Sequence, residues 1–285
     1  MARCRFAAER RPPVSCPGVQ RGFDAATAVE PAGEGRYTGR IDPGWDIAGN
    51  ANGGYLLALA ARAMADTVGR PPLSITAHYL SPGKVGPCEM AVEVLRGGRR
   101  MATVAARLRS GGNEVLAVLG TFAGQVPGGP RVIDGAPPEL PPFEDCLRSI
   151  PPAEGSGFGD RVHVRVGPDD FGYRDGVPTG RAEIRGWFTF SDAPPADQRI
   201  DVFGLLQAVD AFAPVCFNLP GIPVGWAPTL ELTVHVRGVP GPGPLRCRFS
   251  NRFVQDGLFE EDGEVWDSSG RLVAQSRQLA LIPRG

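Results

Sequence analysis

The stretch GNANGGYLLALAARAMA, residues 49–65, limits the fold more than any other part of the chain. From Gly53 to Met64 nearly every residue is apolar or small, with Arg62 the exception. A helix that is apolar all round has to be buried on most of its sides, and a curved sheet can do that. The pattern predicts a helix over 53–68, with Asn52 as its N-cap. Two glycines open it, although each weakens a helix by roughly 1 kcal/mol relative to alanine. Either the first turn packs too closely against a neighbour for a side chain, or its free N–H groups, around Gly54 and Tyr55, face something that accepts hydrogen bonds.

The elements around this helix occur twice. GRYTGRI (35–41) alternates like a strand, the helix follows, and then come LSITAHYLSP, CEMAVEVLR, RMATVAARLRS and EVLAVLGTFAG, four strand-like runs separated by glycine-rich turns. RVHVRVG (161–167) and RAEIRGWFTFSD (181–192) precede a second predicted helix at about 200–213. PTLELTVHVR, LRCRFSNRFVQ, LFEEDGEVWD and RLVAQSRQLALI then complete the second set. LSITAH, ending at His78, and LELTVH, ending at His235, share Leu-x-x-Thr-x-His. From His78 to Gly112 is 34 positions and from His235 to Gly270 is 35, and each glycine precedes the last strand of its set. Two copies of a helix followed by an antiparallel meander imply an α+β chain of two units, each with its sheet wrapped around its own helix. The expected boundaries are a basic, disordered tail over 1–22, a first unit over 23–125, a proline- and glycine-rich surface linker over 126–160, and a second unit over 161–285.

Composition removes several classes of function. The formal net charge is −1, so nothing points to nucleic acid or to an anionic membrane. No apolar run reaches the ~18 residues a membrane-spanning helix needs. The N-terminal 22 residues have no apolar core of the kind a secretory signal carries. The six cysteines form no C-x-x-C pair and the histidines number three, so no metal site is expected. Scattered cysteines in a chain of 285 residues read as reduced thiols of a cytoplasmic protein.

The runs NGGYLLALAARA, ITAHYLSPG and VEVLRGGRRMATVAARLRSGG, followed by LLQAVDAFAP, PTLELTVHV and GRLVAQSRQL, resemble the acyl-CoA thioesterase II (TesB-like) family in order and spacing from about residue 35 to 284. That resemblance implies a double hotdog fold and hydrolysis of acyl-CoA thioesters to fatty acid and CoA, with no metal or redox cofactor. It also implies a catalytic trio of Asp210 on the second helix, Thr229 opening the next strand, and Gln278 in the last strand. A thioester carbonyl would sit near the Gly54 and Tyr55 amides. By analogy with other hotdog proteins, a homodimer or larger assembly is expected. The chain departs from the family pattern at Leu232, where a His is usual, at Leu279, where Glu is common, and in the turn RGGRR (96–100), which lacks Asp-Gly.

The residues themselves leave alternatives open. At helical spacing Asp210 shares a face with Phe203, Leu206 and Ala213, so it is either a functional carboxylate or a buried one satisfied by nearby donors. Pro214 cannot donate to the carbonyl of residue 210, which puts a kink or a stop there. Alternation sets Gln278 with Leu272, Ala274 and Ser276, so its amide either points inward or sits at the polar end of a strand. In the first copy Pro72 stands where Thr229 does, and Gly120 falls near Gln278. That asymmetry favours one composite site over two equal ones. Arg96, Arg99 and Arg100 are either contacts for CoA phosphates or, more simply, a solvated hairpin turn. Two other readings of the same scaffold are an enoyl-CoA hydratase and a non-catalytic acyl-CoA binder. The first needs Asp-x-x-x-x-His, but Leu73, Phe158 and Leu230 stand five residues before the three histidines.

Overall fold

The computed structural model describes residues 22–124, 134–150 and 157–283. The expected tail therefore lies outside the described residues, save for Gly22. The first half contains β1 (Arg36–Ile41), α1 (Gly53–Val68), β2 (Pro72–Tyr79), β3 (Gly86–Gly97), β4 (Met101–Ser110) and β5 (Asn113–Ala123). The second contains β6 (Val162–Val166), β7 (Glu183–Phe190), α2 (Val202–Ala208), β8 (Thr229–Val236), β9 (Leu245–Ser250), β10 (Leu258–Trp266) and β11 (Leu272–Leu281). All these strands join one antiparallel sheet in the order β1-β3-β4-β5-β2-β8-β11-β10-β9-β7-β6. Read outward from the central β2–β8 pair, five strands on each side mirror each other in order, and β6 flanks β7 as the two-residue strand Glu30–Pro31 flanks β1. This is the pair of α+β units that the duplicated pattern implied, and the double hotdog that the family resemblance implied.

The centre of the sheet is the axis of the duplication. Thr76 pairs with Thr233, and their hydroxyls lie 2.9 Å apart. On either side Ser74 faces His235 and His78 faces Glu231. The repeated Leu-x-x-Thr-x-His motif therefore meets its own copy across a local two-fold axis. The register also settles which positions correspond. Ile75 pairs with Gly120, which pairs with Val104, whereas the equivalent Leu232 pairs with Gln278, which pairs with Glu261. Gly120 is thus the counterpart of Gln278, as the repeat predicts.

Helix α1 runs over the predicted span, with Tyr55–Ala61, Ala63 and Met64 all buried. Gly69, in the left-handed conformation at φ 64°, terminates it. Its one cation, Arg62, escapes the core by bridging Asp24 at 2.5 Å and Asp201, the N-cap of α2, at 3.4 Å. The guanidinium also lies 4.4 Å from the Phe203 ring centre. Further ties join the halves where Phe23 stacks on Phe190 at 4.5 Å.

Two expectations change. The second helix stops at Ala208 instead of 213, so Asp210 lies in the turn beyond its C-terminus and not on its face. Pro214 opens a separate short 3-10 turn, Val215–Asn218. The segment assigned to a surface linker is in part structural: Leu147–Arg148 pairs with β6 as an added edge strand, and Cys146 and Ser149 are buried beside it. Its turn composition hid a two-residue strand too short to show a period. Residues 125–133 and 151–156 of that linker lie outside the described residues.

Candidate active site

The site is built where the N-terminus of α1 meets the C-terminus of α2. Four N–H groups at a helix start and four carbonyls at a helix end need partners, and here each end supplies the other. Asn52 is the predicted cap, its Oδ1 accepting from Tyr55 N at 3.1 Å. The same oxygen accepts from Gln207 Nε2 of the second half at 2.8 Å. Its Nδ2 donates to the Asp210 carbonyl at 2.9 Å and to Asp210 Oδ2 at 3.0 Å. The carbonyl that Pro214 cannot satisfy in a helix is therefore satisfied by a side chain from the other half.

Asp210 Oδ2 also accepts from Gly54 N at 2.8 Å. Here the two glycines find their reason. A Cβ on Gly54 would stand 2.5 Å from the Leu206 carbonyl oxygen and 3.0 Å from both Asp210 Cβ and Gln207 Cα. A Cβ on Gly53 would stand 2.8–2.9 Å from the ring and hydroxyl of Tyr79. Gly54 seats Asp210, and Gly53 seats Tyr79. The expectation that the Gly54 and Tyr55 amides stand bare for a substrate oxygen does not hold: one is spent on Asp210 and the other on the cap. The carboxylate has taken the place at the helix N-terminus, where amides and dipole favour an anion.

Burial pushes the Asp210 carboxyl up to about 6, against the lowering pull of the Gly54 amide, Asn52 and the Gly53 amide. A carboxylate so placed is a base poised just below neutrality.

Across the cavity, Thr229 Oγ1 donates to Gln278 Oε1 at 3.1 Å, and Gln278 Nε2 donates to Glu261 Oε1 at 3.0 Å. Glu261 Oε2 accepts from Val215 N at 2.8 Å. Gln278 is buried, so the inward reading of its amide is the observed one. Glu261 was not among the sequence candidates, though Phe259, Glu261, Gly263 and Val265 alternate onto one buried face of β10. Burial raises its carboxyl to about 8, and the charge of Asp210 adds to the shift. The first half has apolar Val104 and Gly120 at the positions of Glu261 and Gln278, and so builds no second copy of this chain of bonds.

Asp210, Thr229 and Gln278 all line one cavity of about 540 Å³, within the range of small-molecule sites. The first half contributes Asn52, Gly53, Leu56 and Tyr79; Phe212, Phe217 and Phe259 of the second make its wall largely apolar. Arg174 and Trp226 stand among its lining residues as well. Arg96, Arg99 and Arg100 do not line it; they sit exposed at the β3–β4 turn, where Arg70 donates to the carbonyls of Gly98 and Arg99. Among the described residues no cluster of three or more His, Cys, Asp or Glu could hold a metal ion. Cys88, Cys146, Cys216 and Cys247 are buried and unpaired; Cys4 and Cys16 lie outside the described residues. Among the described residues no helix is long and apolar enough to cross a membrane.

Comparison with known proteins agrees with this fold. Residues 41–123 match the family model described as the acyl-CoA thioesterase N-terminal domain, and residues 135–282 match that of the C-terminal domain. A thioesterase II candidate from Thermobifida fusca YX superimposes with a TM-score of 0.83 at 36% identity, covering 92% of this chain and 97% of that one. The acyl-CoA thioesterase II TesB2 of Mycobacterium marinum shares the fold, with a TM-score of 0.69 at 18% identity over 93% of this chain and 99% of its own. An uncharacterized protein of Mycobacterium tuberculosis H37Rv is 28% identical over 274 residues, 87% of this chain and 91% of that protein.

Proposed function

The chain belongs to the acyl-CoA thioesterase family, and from that premise we propose that it hydrolyses acyl-CoA thioesters to a free acid and CoA at the cavity between its halves. The observation that carries this reading is the seat of Asp210: a carboxylate of the second half, held by Gly54 N and Asn52 of the first, at the edge of an apolar cavity. Asn52 and Gly54 fix Oδ2, and neither bonds Oδ1, which is the oxygen we assign to a water. Thr229 and Gln278 orient that water from the other side, and Glu261 in turn fixes the Gln278 amide.

In the reaction, Asp210 takes a proton from the water as its oxygen bonds to the thioester carbonyl carbon. The carbonyl electron pair moves onto its oxygen. Collapse of that tetrahedral species breaks the carbon–sulfur bond and expels the CoA thiolate, which takes the proton held by Asp210 and so restores the carboxylate. Positioned general-base help of this kind contributes typically 10²–10⁴-fold. The acyl chain runs along the apolar wall, and Arg174 at the lining supplies a cation for the CoA phosphates.

The test is release of free thiol over a panel of acyl-CoAs of increasing chain length, alongside direct binding of the same compounds. Turnover well above the buffer rate for at least one acyl length supports the reading. Tight binding of acyl-CoA without turnover overturns it in favour of a binding protein, and binding of none removes the substrate class.

A further inference from the structure

Hydrolysis leaves one charge without a partner, the negative charge that builds on the carbonyl oxygen. The amides expected to meet it are engaged. Gly54 N is on Asp210, Tyr55 N on Asn52, Asn52 Nδ2 on Asp210, and Thr229 Oγ1 on Gln278. Among the described residues, one buried side-chain donor that lines the cavity is unspent. Tyr79 closes β2, lines the same cavity, and its hydroxyl is buried with no hydrogen-bond partner among the described residues. Buried polar groups are almost always paired, so an orphaned hydroxyl on a cavity wall asks for a ligand.

The chain makes room for this ring. Gly53 lies beneath it, where any side chain would collide with Cε1, Cζ and the hydroxyl. The phenol is thereby held over the first turn of α1, beside the turn that carries Asp210. We propose that the Tyr79 hydroxyl is the hydrogen-bond donor to the substrate carbonyl oxygen; this rests on the thioester reading above.

The geometry separates the two roles. Asp210 faces the water and Tyr79 the oxygen that becomes negative, so base and electrophilic donor come from opposite halves of the duplication. Burial, reinforced by the charges of Asp210 and Glu231, holds the phenol well above the ordinary tyrosine range. It therefore stays an O–H donor while Asp210 is ionised. No proton leaves Tyr79 in the step; its hydrogen bond shortens as the carbonyl electron pair moves onto oxygen, and relaxes when the thiolate departs. Donors aimed at developing charge in a water-poor site cost no reorganisation during the reaction.

The test is Tyr79→Phe in the full chain, which removes the hydroxyl and keeps the ring against Gly53. The expected result is a fall in kcat of roughly 100-fold with KM within about twofold, the loss usual for one such donor. Thermal midpoint should be unchanged or higher, since an unpaired buried hydroxyl has gone. Two unreactive analogues isolate the contact: an acyl-CoA ketone, with CH₂ for sulfur and the carbonyl kept, and a thioether, with CH₂ for the carbonyl. Tyr79→Phe should weaken the ketone about tenfold or more and leave the thioether unchanged. Equal affinity of wild type and Tyr79→Phe for the ketone overturns the proposal, as does a kcat within twofold of wild type. If the wild type turns over no thioester, the hydrolase reading fails, and the ketone–thioether comparison still decides the Tyr79 contact. Binding of neither analogue by the wild type overturns it too.

Discussion

Replacing Gly54 by alanine should move the acid limb of the activity profile as well as lower stability. The added methyl would sit 2.5 Å from the Leu206 carbonyl oxygen, where ordinary contact begins near 3.4 Å. Backbone cannot swing aside, so the two helix ends must part by roughly 1 Å in a close-packed interior. Overpacking of this kind costs about 1–3 kcal/mol, and the better helix propensity of alanine returns up to about 1 kcal/mol. The net packing loss is about 0–3 kcal/mol, and the lost hydrogen bond described next adds to it, so the melting temperature also falls, by about 2–4 °C per kcal/mol. The same separation stretches the 2.8 Å bond from Gly54 N to Asp210 Oδ2 past useful length. A hydrogen bond to a charged group is worth about 1.5–3 kcal/mol, or roughly one to two pKa units. Because that bond favours the anion, its loss raises Asp210 further, from about 6 to about 7–8. At pH 7 the ionised fraction then drops about two- to tenfold, and at pH 9 it recovers. The assay is kcat/KM for thiol release from pH 5 to 9, with melting curves on the same samples. A lowered melting temperature with an unmoved acid limb would refute the reasoning, because Gly54 would then matter for packing alone.

Three other expectations follow from the same contacts. Both Asp210 and Glu261 have folded pKa values above their unfolded ones, so the folded chain holds more protons between about pH 4 and 8 and loses stability as pH rises through that window; Glu261→Gln should flatten the fall in melting temperature between pH 6 and 8, and an unchanged slope would contradict the buried carboxylate. Asn52→Ala removes a helix cap and strands the Asp210 carbonyl and the Gln207 amide, which should cost about 2–4 kcal/mol in urea denaturation; a loss under 1 kcal/mol would show that the clamp between halves is dispensable. Gln278→Ala leaves the Thr229 hydroxyl and Glu261 without their shared partner and should lower kcat by about 10–100-fold, whereas wild-type kcat would remove Gln278 from the water site.

Much of this architecture is legible in the residues, and the exceptions have physical causes. Helix α1 is readable because an apolar stretch bounded by Asn52 and Gly69 admits few other folds. The Leu-x-x-Thr-x-His repeat announces the two-fold axis, since equivalent residues of two fused copies meet where their edge strands pair; Thr76 and Thr233 do so. Asp210 is readable as a residue and misread as a place. Helical spacing sets it on a face, but Pro214 ends the helix early and a cap from 158 residues away takes its carbonyl. Local pattern carries no trace of such a distant partner. For the same reason the Gly54 amide looks free in the sequence and is filled in the fold. Glu261 hides among Glu260, Asp262 and Glu264, where four acids in five residues suggest a solvated strand; only the alternation with Phe259 and Val265 marks it as inward. Tyr79 gives no signal at all, because tyrosine at a strand end is ordinary. Its meaning comes from Gly53 beneath it.

The central claim is that Asp210, held at the start of α1, is the base that activates water for thioester hydrolysis. The most direct test is the pH dependence of kcat/KM for thiol release, measured on wild type and on Asp210→Asn with an acyl-CoA that the wild type accepts. The account predicts a wild-type rate rising to a plateau with its midpoint near 6, and an Asp210→Asn rate about 10²–10⁴-fold lower with that limb gone. An Asp210→Asn variant that keeps wild-type rates, or that keeps the limb, would contradict it.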